Sequence, residues 1–397
     1  DDAEDALPLP LSTMPPMDPT GATKFDTNLS TEERTTLSAT FGKEAAIPSV
    51  ETFLLVVGRL KRDAGPGCST LNFGILRYLF ENDNDNVEKY LLPLTIAFVG
   101  GTLHRVVLKL LLSSKATPIP KRDSADVRIL GMGCCLYRLI AKALLHEVTS
   151  ETSKLLLPLQ TCVGMSDACN VVAATQQLLF DSGQDSLMLD LSNAYGRARL
   201  KHIHKGLVAY CPRLLRVFHV MYNDEIDTRM QTEDATIPER NTPALLSPGT
   251  PLITSKGRHV TNMRTGVRQG DPLATLFFAV ALQQTLIHIS TVVSEQAQHM
   301  PQETRDHIDK ETSSSPMAPL TIAFADDVTI SGAAESLLGA LPAIDGLLTS
   351  IGHKLNRSKS TLLLAPNKTP ARLEEIQSLA RTAEVQIEQD GTTALGV

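Results

Sequence analysis

The stretch from Leu320 to Gly332 reads LTIAFADDVTISG, and it constrains the chain more than any other. Leu320, Ile322 and Phe324 alternate with smaller or polar residues, and Val328 and Ile330 resume the alternation after a short break. This predicts two strands joined at a tip holding Ala325, Asp326 and Asp327. Adjacent carboxylates at the tip of an apolar hairpin repel each other, and neither has a Lys or Arg beside it in sequence. Two readings stand at this point. One is a solvated Asp-Asp turn. The other is a divalent-cation site, because Mg²⁺ takes few protein carboxylates and fills its other positions with water and phosphate.

The chain has 397 residues, room for two or three domains' worth of core. With 42% hydrophobic and 20% charged residues it is an ordinary globular composition. It contains no run of 18 apolar residues, and the stretch Leu91–Leu103 is broken by His104 and Arg105, so no membrane span is expected. It begins with Asp and shows no basic-then-apolar leader, which predicts a fragment or a chain whose start has been removed. Cys68, Cys134, Cys135, Cys162, Cys169 and Cys211 form no CxxC pair, which argues for reduced thiols over a zinc site or disulfide framework. The net charge of −7 is concentrated in residues 1–50, which hold nine acids and three bases. The remainder is nearly neutral, with basic clusters at Lys121/Arg122, Arg197–Lys205 and Lys354–Lys359.

Residues 1–50 read as an acidic, Pro-rich tail without fixed structure. Helices are predicted from Val50 to Leu60, Thr70 to Phe80, and once or twice, buried, from Val87 to Leu112. Pro118–Arg122 and Arg128–Leu130 predict two short strands around a polar loop. Lys121 and Arg128 border that loop, within reach of an anionic ligand. Leu136–Val148 and Val171–Phe180 predict helices, and Leu187–Leu189 a strand ending on Asp190, a carboxylate that serves equally well as a helix cap. A basic amphipathic helix follows, then the start of a strand region at Val217–Tyr222 and an exposed loop at 231–256. Thr265–Leu273 (TGVRQGDPL) has the glycines of a tight turn, Asp271 as a cap and Pro272 in the first turn of a helix running to Ile289. Residues 291–319 form a polar insertion before the hairpin. Leu338–Ile351 predicts a helix, Gly352–Leu364 a turn and strand, and Ala371–Ala383 a last helix.

Asp190 after a strand, GVRQGDP opening a helix and ADD in a hairpin, in that order, resemble the palm of reverse transcriptases, above all those of non-long-terminal-repeat (non-LTR) retrotransposons. DLSNAY, GVRQGDPL, FADD, GHKLNRSKS and the terminal ALGV resemble that family's five palm motifs in sequence order. PIPKRDSADVRIL resembles its fingers motif. The polar insertion before FADD points to the spliced-leader-associated subtype. The resemblance covers about residues 60–397 and implies an α+β right-hand polymerase. Fingers at 51–185 and a palm at 186–397 are then expected, the palm an antiparallel sheet flanked by helices, with the thumb absent. The implied activity is RNA-directed DNA polymerisation, with partners an RNA template, a DNA primer and dNTPs. A nuclear location is implied by the same resemblance alone. Oligomeric state is not legible.

The roles implied are equally specific. Two Mg²⁺ or Mn²⁺ ions about 3.5–4 Å apart serve nucleotidyl transfer, held by Asp190 and Asp326 with help from Asp327. Tyr195 would pack under the incoming sugar and exclude a 2′-hydroxyl. Gln269 and Gly270 would contact nucleotide and template, Lys121 and Arg128 the triphosphate, and Lys359 would protonate departing pyrophosphate. Several positions depart from the family pattern: FADD for the tyrosine form, Tyr195 for phenylalanine, Ala274-Thr275 for Ser-Pro and Arg128-Ile-Leu for Arg-Pro-Ile. None removes a carboxylate. A catalytically silent nucleic-acid-binding scaffold and an intron maturase are the competing readings. The polymerase reading requires Asp190 within about 10 Å of the 326–327 pair, the reach of shared ions.

Overall fold

The computed structural model describes residues 45–69, 71–120, 127–229, 250–253, 260–263, 266–302, 318–366 and 368–388. Along the chain come α1 (Val50–Gly58), α2 (Phe73–Phe80), a π-helical turn at Val87–Leu91, α3 (Leu92–Gly100) and α4 (Arg105–Leu112). Then follow β1 (Ser114–Pro120), β2 (Val127–Gly133), α5 (Cys135–Leu156), α6 (Ala168–Asp181) and β3 (Asp185–Leu189). After a one-turn helix at Ala194–Arg197 come α7 (Leu200–Tyr210), α8 (Leu215–Arg229), β4 (Thr250–Ile253), β5 (Val260–Met263) and α9 (Ala274–Gln298). The last elements are β6 (Leu320–Phe324), β7 (Asp327–Gly332), α10 (Ala334–Ser350), β8 (Thr361–Leu363), α11 (Pro370–Ala383) and β9 (Gln386–Glu388).

Three expectations change. Val217–Tyr222 is helix, not strand. Leu214, Leu215, Phe218, Met221 and Tyr222 are all buried at helical spacing, and that 3.6-residue pattern outweighs the β-branched Val217 and Val220. α4 is not buried all round, since Val106 and Leu110 are 59% and 66% exposed. Residues 291–298 of the polar stretch extend α9, where Val293 still faces the core. α9 is also long and apolar enough to cross a bilayer by composition, but 67% of its most apolar window is buried inside the protein. The acidic tail to residue 44, the terminal ALGV and most of 231–256 lie outside the described residues.

The chain forms two compact units that interleave in sequence. One holds the residues up to Val148, Leu207–Arg264 and Arg268–Leu273, the other Thr149–Gly206, Thr265–Val267 and Ala274–Val397. In the first, Ser49 Oγ accepts the Thr52 N–H and Asn72 Oδ1 the Ile75 N–H, so each of the first two helices starts on a side-chain cap. Phe53 and Val57 of α1 and Phe73 and Leu76 of α2 pack with Leu91 and Leu139 in one buried cluster. Each such side chain contributes about 1.5–3 kcal/mol relative to an exposed one. The four-stranded sheet runs β2-β1-β4-β5, with β1 and β2 in antiparallel register from Ser114↔Gly133 to Pro120↔Val127.

The second unit is built on a five-stranded sheet in the order β6-β7-β3-β8-β9. β3 sits between β7 and β8 and pairs antiparallel with both. Helices α9 and α10 pack on each other, α9 against β6, and α10 against β3 and β7. At the start of β3, Asp185 is buried and fully engaged. Its carboxylate accepts the Ala334 N–H at 3.0 Å and the Ala365 N–H at 2.9 Å, and Lys368 Nζ lies 2.9 Å away. It thereby caps α10, whose own N-cap residue Ala333 has no side chain able to do so. Burial pushes the Asp185 carboxyl up from its usual value, and Lys368 is the main opposing influence.

Candidate active site

β6 and β7 form the predicted hairpin, with Phe324 opposite Asp327 and only Ala325 and Asp326 in the turn. So short a turn requires a positive φ. Ala325 supplies it at φ 55°, which costs an L-residue with a Cβ roughly 1–2 kcal/mol. Gln160 holds the strained residue in place. Its Oε1 accepts the Ala325 N–H at 2.8 Å and its Nε2 donates to Ala325 O at 3.2 Å. The Thr161 N–H and hydroxyl both donate to Ala323 O, at 2.9 and 3.0 Å. Gln160 is fully buried, so these bonds operate where water cannot replace them. Replacing Gln160 with alanine strands two buried main-chain groups. We expect the variant to lose roughly 1–3 kcal/mol of stability, measured by urea denaturation, while Ala325→Gly, which relieves the φ strain, costs less than half of that.

The hairpin tip stands beside the end of β3. The β3–β7 register ends at Leu189↔Val328, and Asp190 and Asp327 are the chain neighbours of that last pair. Opposed residues of an antiparallel pair, such as Leu189 and Val328, have Cα atoms about 4.5–5.5 Å apart. The main chain of Asp190 is pinned from the other side. Its N–H donates to Ser360 Oγ at 3.1 Å, and its carbonyl accepts the Asn356 N–H at 2.8 Å. Asp190 and Asp326 are half-buried and Asp327 is exposed. Lys359, exposed, ends the 3₁₀ turn Arg357–Lys359 that immediately precedes Ser360.

Tyr195 joins this group. Its ring stacks on Phe278 of α9, with centroids 4.9 Å apart and planes 11° from parallel, and its hydroxyl lies 3.3 Å from Thr275 Oγ1. Its hydroxyl is pushed up to about 12, by burial first, against the Thr275 hydrogen bond and with Asp326, Cys162 and Asp327 adding to the rise. The phenol therefore stays neutral within the field of the hairpin acids. Gly266 keeps the next segment close. It has φ 75°, and a Cβ there would lie 2.3 Å from Tyr195 O. The Val267 N–H then donates to Tyr195 O at 2.9 Å.

Gln269 and Gly270 lie in the first unit, against β2. The Gly131 N–H donates to Gln269 O at 2.8 Å, and a Cβ on Gly270, at φ 95°, would come within 2.9 Å of Leu130 Cδ1. Arg128 is exposed on the same strand. Lys121 lies outside the described residues. The loop is anchored by Arg268, which is buried and donates from Nη2 to Asp271 Oδ2 at 2.7 Å and from Nη1 to Leu112 O and Ser114 Oγ. The Tyr137 hydroxyl donates to Asp271 at 2.8 Å, and Asp271 Oδ1 accepts the Leu273 N–H at 3.0 Å, the capping role expected of it. Burial, then the charge of Asp271, raises the Tyr137 hydroxyl well above its ordinary value.

Within the second unit, then, Asp190, Asp326, Asp327 and Tyr195 come together, with Lys359 on the adjoining segment. Gln160, Phe278, Thr275 and Ser360 support them; Thr275 and Ser360 lie in stretches the sequence singles out, whereas Gln160 and Phe278 do not. The one available signal was a glutamine directly after the apolar run LLLPL. The donor set, all carboxylate oxygen, suits Mg²⁺ or Mn²⁺. As the side chains lie, no group of three or more His, Cys, Asp or Glu among the described residues converges on one point. A scan of protein-family models finds none that matches this chain, and a search of curated proteins finds no match.

Proposed function

We propose that the chain is the fingers-and-palm part of an RNA-directed DNA polymerase of the non-LTR retrotransposon kind. The observation that supports this reading is the β3–β7 register, whose last pair, Leu189↔Val328, adjoins Asp190 on one strand and Asp327, beside the Asp326 turn, on the other. An acid at position 190 and an adjacent pair at 326 and 327, distant from it in sequence, thus belong to neighbouring strand ends of one sheet. Asp185, at the other end of the same strand, shows how this fold treats a structural acid: buried, doubly hydrogen-bonded and matched by Lys368.

In the reaction, the primer 3′-oxygen attacks the α-phosphorus of a dNTP, the new P–O bond forms and pyrophosphate departs with the old one. Two divalent cations, when bound, would ease loss of the hydroxyl proton and neutralise charge on the departing pyrophosphate. Asp190 and Asp326 would hold them, with Asp327 assisting. Tyr195, flat against Phe278, gives a rigid ring for the sugar to pass over. Lys359 would deliver a proton to pyrophosphate. The resemblance assigns Lys121, Arg128, Gln269 and Gly270 to the triphosphate and template.

The test is extension of a DNA primer on an RNA template by purified protein with Mg²⁺ or Mn²⁺ and dNTPs. Tyr195→Ala should raise incorporation of rNTPs relative to dNTPs about 10- to 100-fold. Tyr195→Phe should leave the ratio unchanged, because the ring and not the hydroxyl forms the wall. No extension with either ion rejects the reading. Equal use of rNTPs and dNTPs by the unmodified protein rejects its DNA specificity.

A further inference from the structure

Between α10 and β8, within the second unit, lies a cleft of about 770 Å³. Arg197, Arg199, Lys354 and Arg357 line it. Two carboxylates line it as well. Asp345 is matched by Arg357 at 2.7 Å and the other is Glu384, so four cations against two acids leave the cleft a positive surplus. Arg199 is held over Gly352: a Cβ at that glycine, φ 92°, would lie 2.3 Å from Arg199 Nε.

His353, only 3% exposed, is the buried part of the wall. Its ring meets Phe278 edge-on at 5.5 Å, and its Nδ1 is buried with no hydrogen-bond partner. An unpaired buried polar atom is destabilising, and folded proteins seldom keep one unless something else satisfies it. Burial first, then His202, itself depressed to about 4, and the guanidinium charges of Arg197 and Arg199, lower the ring to about 4. The imidazole is therefore neutral at pH 7, and those cations are near enough to act on it. A concave site with a surplus of positive charge concentrates its field on small anions.

We propose that this cleft is a phosphate-binding site, taking the phosphate groups of either a free oligophosphate such as pyrophosphate or a nucleic-acid backbone. Arginine offers the planar fork that matches phosphate oxygens, and lysine a point charge beside it. The proposal does not rest on the polymerase reading, since none of the three aspartates lines the cleft.

Calorimetry on the whole chain in EDTA tests it, with pyrophosphate in one arm and a short single-stranded RNA in the other. EDTA removes any binding through a cation at the aspartates, so the outcome is independent of that site. Saturable binding is expected in at least one arm. The variant Arg199→Gln/Lys354→Gln should weaken it at least about tenfold. The variant Arg59→Gln/Lys61→Gln, which removes the same charge from exposed positions on the other unit, should leave it within about twofold. A pyrophosphate response identifies free oligophosphate as the source, and an RNA response alone identifies the backbone. No saturable binding in either arm, or equal losses in the two double variants, overturns the proposal.

Discussion

Asp190→Asn lowers the rate of primer extension by at least about 10³-fold and leaves the melting temperature within about 2 °C. The two halves of this result have separate causes. A cation's contribution to a phosphoryl-transfer transition state is several kcal/mol, and each 1.36 kcal/mol is a factor of ten in rate. The amide keeps the shape of the side chain but gives up the charge that holds the ion. Stability, by contrast, does not run through this carboxylate. Asp190 is tied into the sheet by its main chain, through Ser360 Oγ and the Asn356 N–H. Removing one of three neighbouring negative charges also relieves repulsion. Primer-extension kinetics and thermal melting of the same preparation check both halves. Persistent extension sinks the assignment of Asp190 as an ion ligand, and a melting temperature lowered by 5 °C or more would make it a structural acid like Asp185.

Much of this rim was legible from the residues. Alternation in LTIAF and VTISG dictated the hairpin, and the break between them put Asp326 in the turn. The run LML ending on Asp190 gave a strand and its acid. What periodicity cannot give is the partner of a strand. That β3 lies between β7 and β8 depends on contacts between residues more than 130 positions apart, such as Leu189 with Val328. Gln160 was illegible for the same reason, because a glutamine's value here lies in meeting a strained alanine 165 residues away. Val217–Tyr222 misled because β-branched residues raise strand propensity, whereas burial at 3.6-residue spacing from Leu214 to Tyr222 decided for helix. The GVRQGDP aspartate read as a cap, and its pairing with Arg268 in the interior had no sequence signal.

That interior pair carries the largest expected effect on stability. Asp271→Ala destabilises the protein by about 3–5 kcal/mol, lowering the melting temperature by roughly 6–20 °C. Arg268 is 2% exposed and retains its charge at any accessible pH, so without Asp271 it is left buried with only the neutral Leu112 carbonyl and Ser114 hydroxyl. The Tyr137 hydroxyl loses its acceptor at the same time, and α9 loses the cap on the Leu273 N–H. Tyr137→Phe removes one hydrogen bond to a charged group and should cost less, about 1.5–3 kcal/mol. If the charge left behind is the cause, the double variant Arg268→Met/Asp271→Leu recovers most of the loss, because the uncompensated cation is gone and the volume is filled. Urea denaturation of the four proteins decides the matter. A double variant no more stable than Asp271→Ala would place the cost in the lost cap and the Tyr137 contact, and not in the buried guanidinium.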